Sequence, residues 1–222
     1  AVASEFYLKD VTAKFDRTSL GLWLRADQGV SLSGSSITGW KDVSGNLHNA
    51  LQTNAANQPV AVTNASLNNQ RVVRFDGTND FLSLPDRESL RSTSANGISI
   101  YAVLRHTGGD DSGIVFAKSD NTSWTNGYGF VRLKSMNTLG MFVNNATNNA
   151  SGGVVATNAN YVLKMSYDKK QIVTFANGVP LTPETSSSAI AQSTEEMLIG
   201  GNGTQKFSIG GDIAEILLFN DK

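Results

Sequence analysis

Short runs of alternating apolar and polar residues recur along this chain, and each run ends in a cluster of Gly, Asn, Asp or Ser. An alternation of period two puts successive side chains on opposite faces of a strand, and such polar clusters are typical of turns. Only residues 86–92, which follow Pro85, have a helical pattern. The sequence therefore predicts an all-β protein with strands at residues 21–26, 72–75, 81–84, 98–106, 113–118, 127–134, 138–143, 160–168, 171–176, 196–199 and 211–219.

The spacing of these strands indicates how they pair. Residues 160–168 and 171–176, for example, are joined by a connection that is too short for anything but a hairpin. Parallel neighbours need a crossover of roughly a dozen residues or more, and connections of that kind are scarce here. We therefore predict antiparallel strands in two sheets that pack face to face.

Length, charge and composition narrow the classes of function. The 222 residues fit one domain, because all-β sandwiches often use about 200–250 residues as a single unit. A formal net charge of −1 gives no reason to expect a nucleic-acid partner. The chain has no cysteine, which excludes disulfides and cysteine-based catalysis or metal binding. No apolar run approaches the roughly 20 residues that cross a bilayer, so we expect no membrane span.

Three segments together resemble the laminin-G-like, concanavalin A-like jelly-roll domains found in bacterial surface and phage proteins. They are LWLRADQGV from Leu22 with GWKDVSGNLHNALQ from Gly39, VVRFDGTNDFLSLP from Val72, and the closing IGGDIAEILLFN from Ile209. The resemblance implies an antiparallel two-sheet jelly-roll sandwich over residues 20–222, preceded by residues 1–19 as an N-terminal arm or edge strand. It implies activity less strongly, because domains of this type include binding, adhesion and virion components.

The best candidate for a sugar-binding surface is the polar loop around Trp124. Sugar binding calls for an exposed aromatic platform beside hydrogen-bonding side chains. Trp124 and Tyr128 supply the rings here, and Asn121 and Asn126 supply the amides. We therefore predict these four residues as ligand-binding. In the alternative interpretation, Trp124 closes one end of the sandwich core, and its local sequence fits both interpretations equally.

Asp76 and Asp80 are the candidates for a metal site, with calcium as the ion. They lie in the segment FDGTND, between Phe75 and Phe81. Calcium prefers roughly six to eight oxygen ligands from carboxylates and carbonyls. Asp is also a common turn residue, so the same two carboxylates could simply cap the turn.

No set of residues predicts catalysis. A retaining glycosidase needs two carboxylates about 5–5.5 Å apart, whereas the adjacent Glu195 and Glu196 should point to opposite faces of a strand. Residues 87–91 (RESLR) resemble the arginine-rich motif of some alginate lyases, but the motifs that accompany it there are missing. His48 and His106 have no zinc-type or triad-type spacing. We therefore predict that the protein is not an enzyme.

Two functions from different classes fit these observations. The first is a non-catalytic extracellular binding or adhesion module for a glycan or surface polysaccharide. The second is a structural subunit of a virion or extracellular filament, which would assemble as a homo-oligomer through residues 1–20 and its sheet edges. A charged content of 17% with abundant Asn, Ser, Thr and Gly favours an extracellular, virion or cell-surface setting, and we predict the first function.

Overall fold

The alternating segments form strands in the computed structural model, which describes residues 18–91, 97–109, 112–133, 138–145, 150–154, 156–186, 189–203 and 207–220. Within these residues the 3-10 helices are Ala55–Asn57, Ala65–Leu67 and Glu88–Leu90. The strands are β1 Leu20–Arg25, β2 Val30–Ser33, β3 Ser36–Trp40, β4 Ala50–Leu51, β5 Val60–Asn64, β6 Gln70–Asp76, β7 Leu82–Leu84, β8 Ile98–Gly109, β9 Ile114–Lys118, β10 Tyr128–Leu133, β11 Thr138–Val143, β12 Ala150–Val154, β13 Ala159–Tyr167, β14 Gln171–Ala176, β15 Val179–Pro180, β16 Glu184–Thr185, β17 Met197–Ile199 and β18 Ile209–Asn220.

One sheet, called sheet I here, is built around the closing strand β18. Strand β8 pairs with β18 along one side. On its other side, β6 pairs with the first half of β18 and β1 with the second half. Beyond β8 the order continues through β13 and β14 to the short edge strands β15 and β16, and β5 extends the opposite edge beside β6.

The other sheet, sheet II, has the strand order β4–β7–β17–β9–β10–β11–β12. Strand β3 pairs with β2, β4 and β5 and so connects the two sheets. All these pairings between described strands are antiparallel, which confirms the predicted all-β antiparallel sandwich. None of the described helices is long and apolar enough to cross a membrane.

The main hydrophobic core lies between the sheets. Alternate residues of each strand enter it, such as Ile98 and Ile100 of sheet I and Phe116 and Phe130 of sheet II. The residues between them lie on the outer faces. Smaller apolar clusters form there as well, around Trp23 on sheet I and around Trp124 on sheet II. Both outer faces are therefore partly covered.

The predicted strands are all found, and their ends differ from the observed ones by at most three residues. The sequence prediction missed several short strands, among them β2, whose four residues are mostly exposed and so carry little alternation. The predicted helix at residues 86–92 is a single 3-10 turn, Glu88–Leu90, and Ser92 lies outside the described residues. Residues 1–17 also lie outside them, so the division into an arm, 1–19, and a domain, 20–222, stays a prediction.

Candidate functional site

The predicted sugar-binding loop, residues 119–127 between β9 and β10, is organised by Asp120. Its carboxylate accepts hydrogen bonds from the backbone N–H groups of Ser123 (3.0 Å) and Trp124 (2.6 Å), and from the hydroxyl of Thr125 (2.9 Å). Burial alone would raise the pKa of Asp120, but these hydrogen bonds, chiefly those from Thr125, hold it well below its usual range. The ionised carboxylate of Asp120 therefore holds the loop in one conformation through hydrogen bonds within the loop.

Neither predicted aromatic residue of this loop forms an exposed platform, which corrects the sequence prediction. Trp124 is only 8% exposed, and its ring packs edge-to-face on Phe207 with the centroids 5.5 Å apart. It covers the apolar outer face of sheet II, where Phe142 and Leu198 lie. Tyr128 is fully buried on the inner side of β10, and its hydroxyl donates to the carbonyl of Leu90 (2.7 Å). Both rings are therefore structural.

Asn121 and Asn126, which carry the two predicted amides, are partly exposed. Asn121 ties the loop to another segment, whereas Asn126 bonds within the loop. The Asn121 amide donates to the carbonyl of Glu196 (3.0 Å). The backbone carbonyl of Asn126 accepts from the Ser119 hydroxyl (2.8 Å). The structure thus keeps Asn121 and Asn126 near Trp124 in the chain but does not assemble the four residues into one binding surface.

A cleft of about 610 Å³ lies instead beside the second predicted pair, Asp76 and Asp80. Asp76 ends β6 and Asp80 precedes β7, so the turn between these strands forms one wall. Strands β5, β6 and β8, and the segment just before β5, supply the remaining groups. The residues that line the cleft are Gln58, Val60, Arg74, Phe75, Asp76, Asp80 and Thr107.

The two carboxylates of the cleft belong to one hydrogen-bonded turn. The Asp76 backbone N–H donates to Oδ2 of Asp80 (3.0 Å), while Oδ1 of Asp76 accepts from the backbone N–H groups of Thr78 (2.8 Å) and Asn79 (3.1 Å). Asp80 is buried and Asp76 is exposed. Burial, followed by the negative charge of Asp76, raises the pKa of Asp80 to about 6. Asp80 therefore changes charge close to neutral pH.

Arg74 forms the cationic side of the cleft. Its guanidinium makes a bidentate ion pair with Asp212 on the neighbouring β18, through Nε to Oδ1 (2.6 Å) and Nη2 to Oδ2 (2.8 Å). Asn64 also donates to this carboxylate. The Asp212 side chain is 1% exposed, whereas that of Arg74 is 48% exposed. Because the pair fixes the planar guanidinium, Arg74 presents its remaining donors to the cleft in one orientation.

No group of three or more His, Cys, Asp or Glu side chains that could hold a metal occurs among the described residues. Asp76 and Asp80 contribute two carboxylates, and one oxygen of each already accepts backbone hydrogen bonds. Calcium would therefore need most of its oxygens from carbonyls, amides and water. The capping role of both residues is visible in the structure, and the calcium role stays a prediction.

Two residues elsewhere approach a catalytic arrangement that the sequence prediction missed. Nε2 of His48 lies 2.8 Å from the hydroxyl of Ser89, and burial lowers the pKa of this histidine. The nearby Asp42 does not orient the ring, because its oxygens accept from the backbone N–H groups of Trp23 and of His48 itself. No described residue hydrogen-bonds Nδ1 of His48. The third member of a triad is therefore missing among the described residues.

The lyase-like segment, residues 87–91, does not form the strand that such a motif requires. Its last residue, Arg91, pairs with Asp86 within the same turn. Asp86 also accepts from the buried ammonium of Lys118 (2.8 Å). The hydrogen bond from Arg91 and those from Lys118 hold the pKa of Asp86 far below its usual range. These charges therefore stabilise one end of the sandwich.

No family model matches the chain, and no curated protein matches it. Several solved structures do. A Trypanosoma rangeli sialidase in complex with the inhibitor DANA matches with a TM-score of 0.60 and 15% identity, over 90% of this chain and 30% of the sialidase chain. The binding domain of Paraclostridial Mosquitocidal Protein 1 matches with a TM-score of 0.58 and 14% identity, over 91% of this chain and 48% of that one.

A third similar structure is the binding domain of botulinum neurotoxin DC in complex with rat synaptotagmin II. Its TM-score is 0.61 at 11% identity, over 93% of this chain and 49% of that chain. The chain thus spans less than a third of the sialidase and about half of the toxin chains. At these identities the similarity shows the fold alone, and the laminin-G-like assignment stays a prediction. The chain shares an all-β sandwich fold with one part of each of these larger proteins.

Proposed function

We propose that the protein is a non-catalytic, extracellular carbohydrate-binding module whose sugar lies in the cleft between Gln58, Arg74, Asp76, Asp80 and Thr107. The observation that carries this proposal is the mixture of donors and acceptors around one open space of about 610 Å³. Sugars present closely spaced hydroxyl groups, each a donor and an acceptor. The Asp76 carboxylate accepts, the Arg74 guanidinium donates, and the Gln58 amide does both. A cleft of this size falls within the usual range for small-molecule sites.

The fold comparisons support a binding role in general terms. Two of the similar structures are binding domains by name, one of them that of a neurotoxin in complex with rat synaptotagmin II. A sandwich of this kind therefore serves well as a binding scaffold. Because the fold does not select the ligand, the proposal of a sugar rests on the side chains of the cleft.

One feature favours a second candidate function, glycoside hydrolysis. The pKa of Asp80 is raised to about 6, and a carboxyl group that acts as a general acid near neutral pH needs such a raised pKa. Against it, Asp80 is buried, and both carboxylates are hydrogen-bonded into the turn that holds them. We therefore favour binding without turnover.

The test is glycan-array screening of the whole chain, followed by calorimetry with the best neutral glycan. We expect Asp76→Asn to weaken binding at least about fivefold, because the amide keeps the turn's hydrogen bonds but loses a charged acceptor. Asp168→Asn is the matched control, since Asp168 caps the β13–β14 turn by accepting from the backbone N–H groups of Lys170 and Gln171. We expect this variant to bind normally.

Three results would contradict the proposal. The first is an array on which no glycan binds. The second is equal affinity for Asp76→Asn and Asp168→Asn, which would place the sugar elsewhere. The third is release of free sugar from the bound glycan, abolished by Asp80→Asn, which would support the hydrolase.

A further inference from the structure

A row of aromatic, apolar and basic side chains crosses the outer face of sheet I. Register pairs it from strand to strand: Trp23 with Leu217, Leu217 with Tyr101, Tyr101 with Lys164, and Lys164 with Phe175. We call these five residues the aromatic–cation row. Trp23 and Leu217 are buried, while Tyr101, Lys164 and Phe175 are partly exposed. The exposed end of the row therefore consists of two rings with an ammonium group between them.

Lys164 is held by rings and not by a carboxylate. Its Nζ lies 5.9 Å from the centroid of the Tyr101 ring and 5.4 Å from that of Phe175. No ion pair joins Lys164 to any residue in the described part of the chain. The two cation–π contacts fix the ammonium position without neutralising its charge. Lys164 is thus a positioned cation that can still bind an anion.

A second cation without an ion pair among the described residues, Arg105, lies farther along the paired strands β8 and β13. Arg105 of β8 pairs in register with Asn160 of β13. Its guanidinium lies within hydrogen-bonding distance of Asn160 Oδ1 (3.4 Å) and of the Ser66 hydroxyl (3.2 Å), both uncharged. Lys164 lies four residues after Asn160 on the same face of β13, so the two cations are about 13 Å apart along the strand.

Two other cations of this face form ion pairs. Arg25 pairs with Asp27 (2.7 Å) and Arg74 with Asp212 (2.6 Å). Glu215, which pairs in register with Arg25, is fully buried and accepts a hydrogen bond from Nε1 of Trp23 (2.6 Å). Among the described residues of this face, Lys164 and Arg105 are therefore the cations left for a partner, in a chain whose net charge is −1.

We propose that this face binds an acidic polysaccharide, with carboxylate or sulfate groups on Lys164 and Arg105 and a sugar ring against Tyr101 or Phe175. Charge complementarity selects an anion, and the rings that flank Lys164 select a ligand that also has flat apolar surface. The proposal shares with the proposed function only the carbohydrate class of ligand. Lys164 and Arg105 do not line the cleft, so each proposal can fail alone.

The experiment measures binding of the whole chain to three polymers: polygalacturonate, which carries carboxylates, dextran sulfate, which carries sulfates, and neutral dextran. We expect binding to at least one acidic polymer and not to dextran, weakened when salt is raised from about 0.05 to 0.5 M. Lys164→Gln and Arg105→Gln should each lower the affinity at least about fivefold. Lys164→Arg should largely retain it, because arginine keeps the charge and stacks on rings.

Lys41→Gln is the matched control, because Lys41 is exposed just after β3 and is not part of the aromatic–cation row. Equal weakening by Lys41→Gln would overturn the proposal in favour of unspecific attraction. Equal binding of poly-L-glutamate would overturn it in favour of an acidic protein partner. Failure of both acidic polymers to bind would overturn it outright. Circular dichroism of each variant confirms that it is folded.

The same variants distinguish binding of an acidic polymer at this face from binding of a neutral glycan in the cleft. Loss of neutral-glycan binding in Asp76→Asn, with no effect of Lys164→Gln on any polymer, would support the cleft and overturn the acidic-polysaccharide face. Loss of acidic-polymer binding in Lys164→Gln, with normal binding by Asp76→Asn, would support the face whatever the fate of the cleft.

Discussion

Asp80 is a buried carboxyl group of the cleft whose charge changes close to neutral pH. Its pKa rises from an ordinary 3.8 to about 6 because of burial first and the Asp76 charge second. In the folded protein the proton is therefore bound more tightly than in the unfolded chain, so that ionisation of Asp80 costs stability. This loss of unfolding free energy is absent below about pH 4 and complete above about pH 6.

This gives a prediction for the pH dependence of stability. As the pH rises from about 4 to about 7, the wild type should lose on the order of 2 kcal/mol of unfolding free energy relative to Asp80→Asn, which cannot ionise. Urea denaturation of both proteins at several pH values measures the difference. Parallel pH profiles would show that Asp80 titrates at its ordinary pKa.

Calcium gives a second prediction at the same pair. If Asp76 and Asp80 bind the ion, millimolar calcium should raise the melting temperature and excess chelator should lower it. Because protons compete for Asp80, the calcium effect should be smaller at about pH 5 than at about pH 8. The Asp76→Asn variant should lose the effect and Asp168→Asn should keep it. An unchanged melting temperature in the wild type would leave both aspartates as turn residues only.

Gly77, in the turn between these aspartates, has two independent reasons to be glycine. Its φ is +78°, and a Cβ there would lie 3.2 Å from the Cα atoms of both Gly109 and Gly210. Gly34, in the β2–β3 turn, has a φ of +64° but no atom within 4 Å of a Cβ. A substitution at Gly34 therefore tests the strain of a positive φ alone. A substitution at Gly77 tests this strain together with the close approach of neighbouring backbone atoms.

We expect Gly34→Ala to lower the unfolding free energy by about 1–2 kcal/mol, the usual cost of a left-handed L-residue. Gly77→Ala should cost more, because the strands that carry Gly109 and Gly210 must also move apart. Urea denaturation measures both. Equal losses would mean that the turn can shift away from the strand ends.

At the scale of elements, the loop of residues 119–127 acts as a lid on the outer face of sheet II. Trp124 supplies its apolar contact and Asp120 its internal hydrogen bonds. Trp124→Ala should therefore lower the unfolding free energy by about 3 kcal/mol, as expected for a large buried ring. Binding to the cleft should be unchanged. Thr122→Ala, at an exposed position of the same loop, is the control. A stable Trp124→Ala variant that loses glycan binding would restore the predicted role of Trp124 as a ligand platform.

The long strands could be predicted from sequence because one alternating pattern fixes each of them. The same alternation also predicts that Tyr128 points into the core, because it shares its strand face with the buried Phe130. The burial of Trp124 could not be predicted in this way. Its own neighbours are polar, and the surface that it covers includes Phe142, Leu198 and Phe207, which are distant in the chain.

The candidate site was only partly predictable for a similar reason. Asp76 and Asp80 are close in the sequence, so their turn is a local feature. Arg74 and Thr107 reach the cleft through the pairing of β6 and β8 with β18. Gln58 reaches it because the strand that follows, β5, pairs with β6. The aromatic–cation row likewise exists only across five paired strands. A site that strand pairing brings together cannot be recognised from the spacing of residues along the sequence.

At the scale of the whole molecule, the two sheets share one core, and the outer clusters rest on strands that also contribute to that core. Strand β18 shows this dependence most clearly. Its Ile213, Ile216 and Leu218 enter the central core, while Leu217 and Phe219 form the outer cluster around Trp23. No described sheet has an apolar core of its own, so we expect the layers to unfold together.

The three tryptophans allow this expectation to be tested layer by layer. Trp23 lies on the outer face of sheet I, Trp40 in the central core, and Trp124 on the outer face of sheet II. We compare a variant that keeps only Trp23 with one that keeps only Trp124, the others being replaced by Phe. In each variant, tryptophan fluorescence and far-UV circular dichroism should give the same urea midpoint. A lower fluorescence midpoint confined to the Trp124 variant would mean that the loop layer opens before the sandwich unfolds, as a separate unit of lower stability.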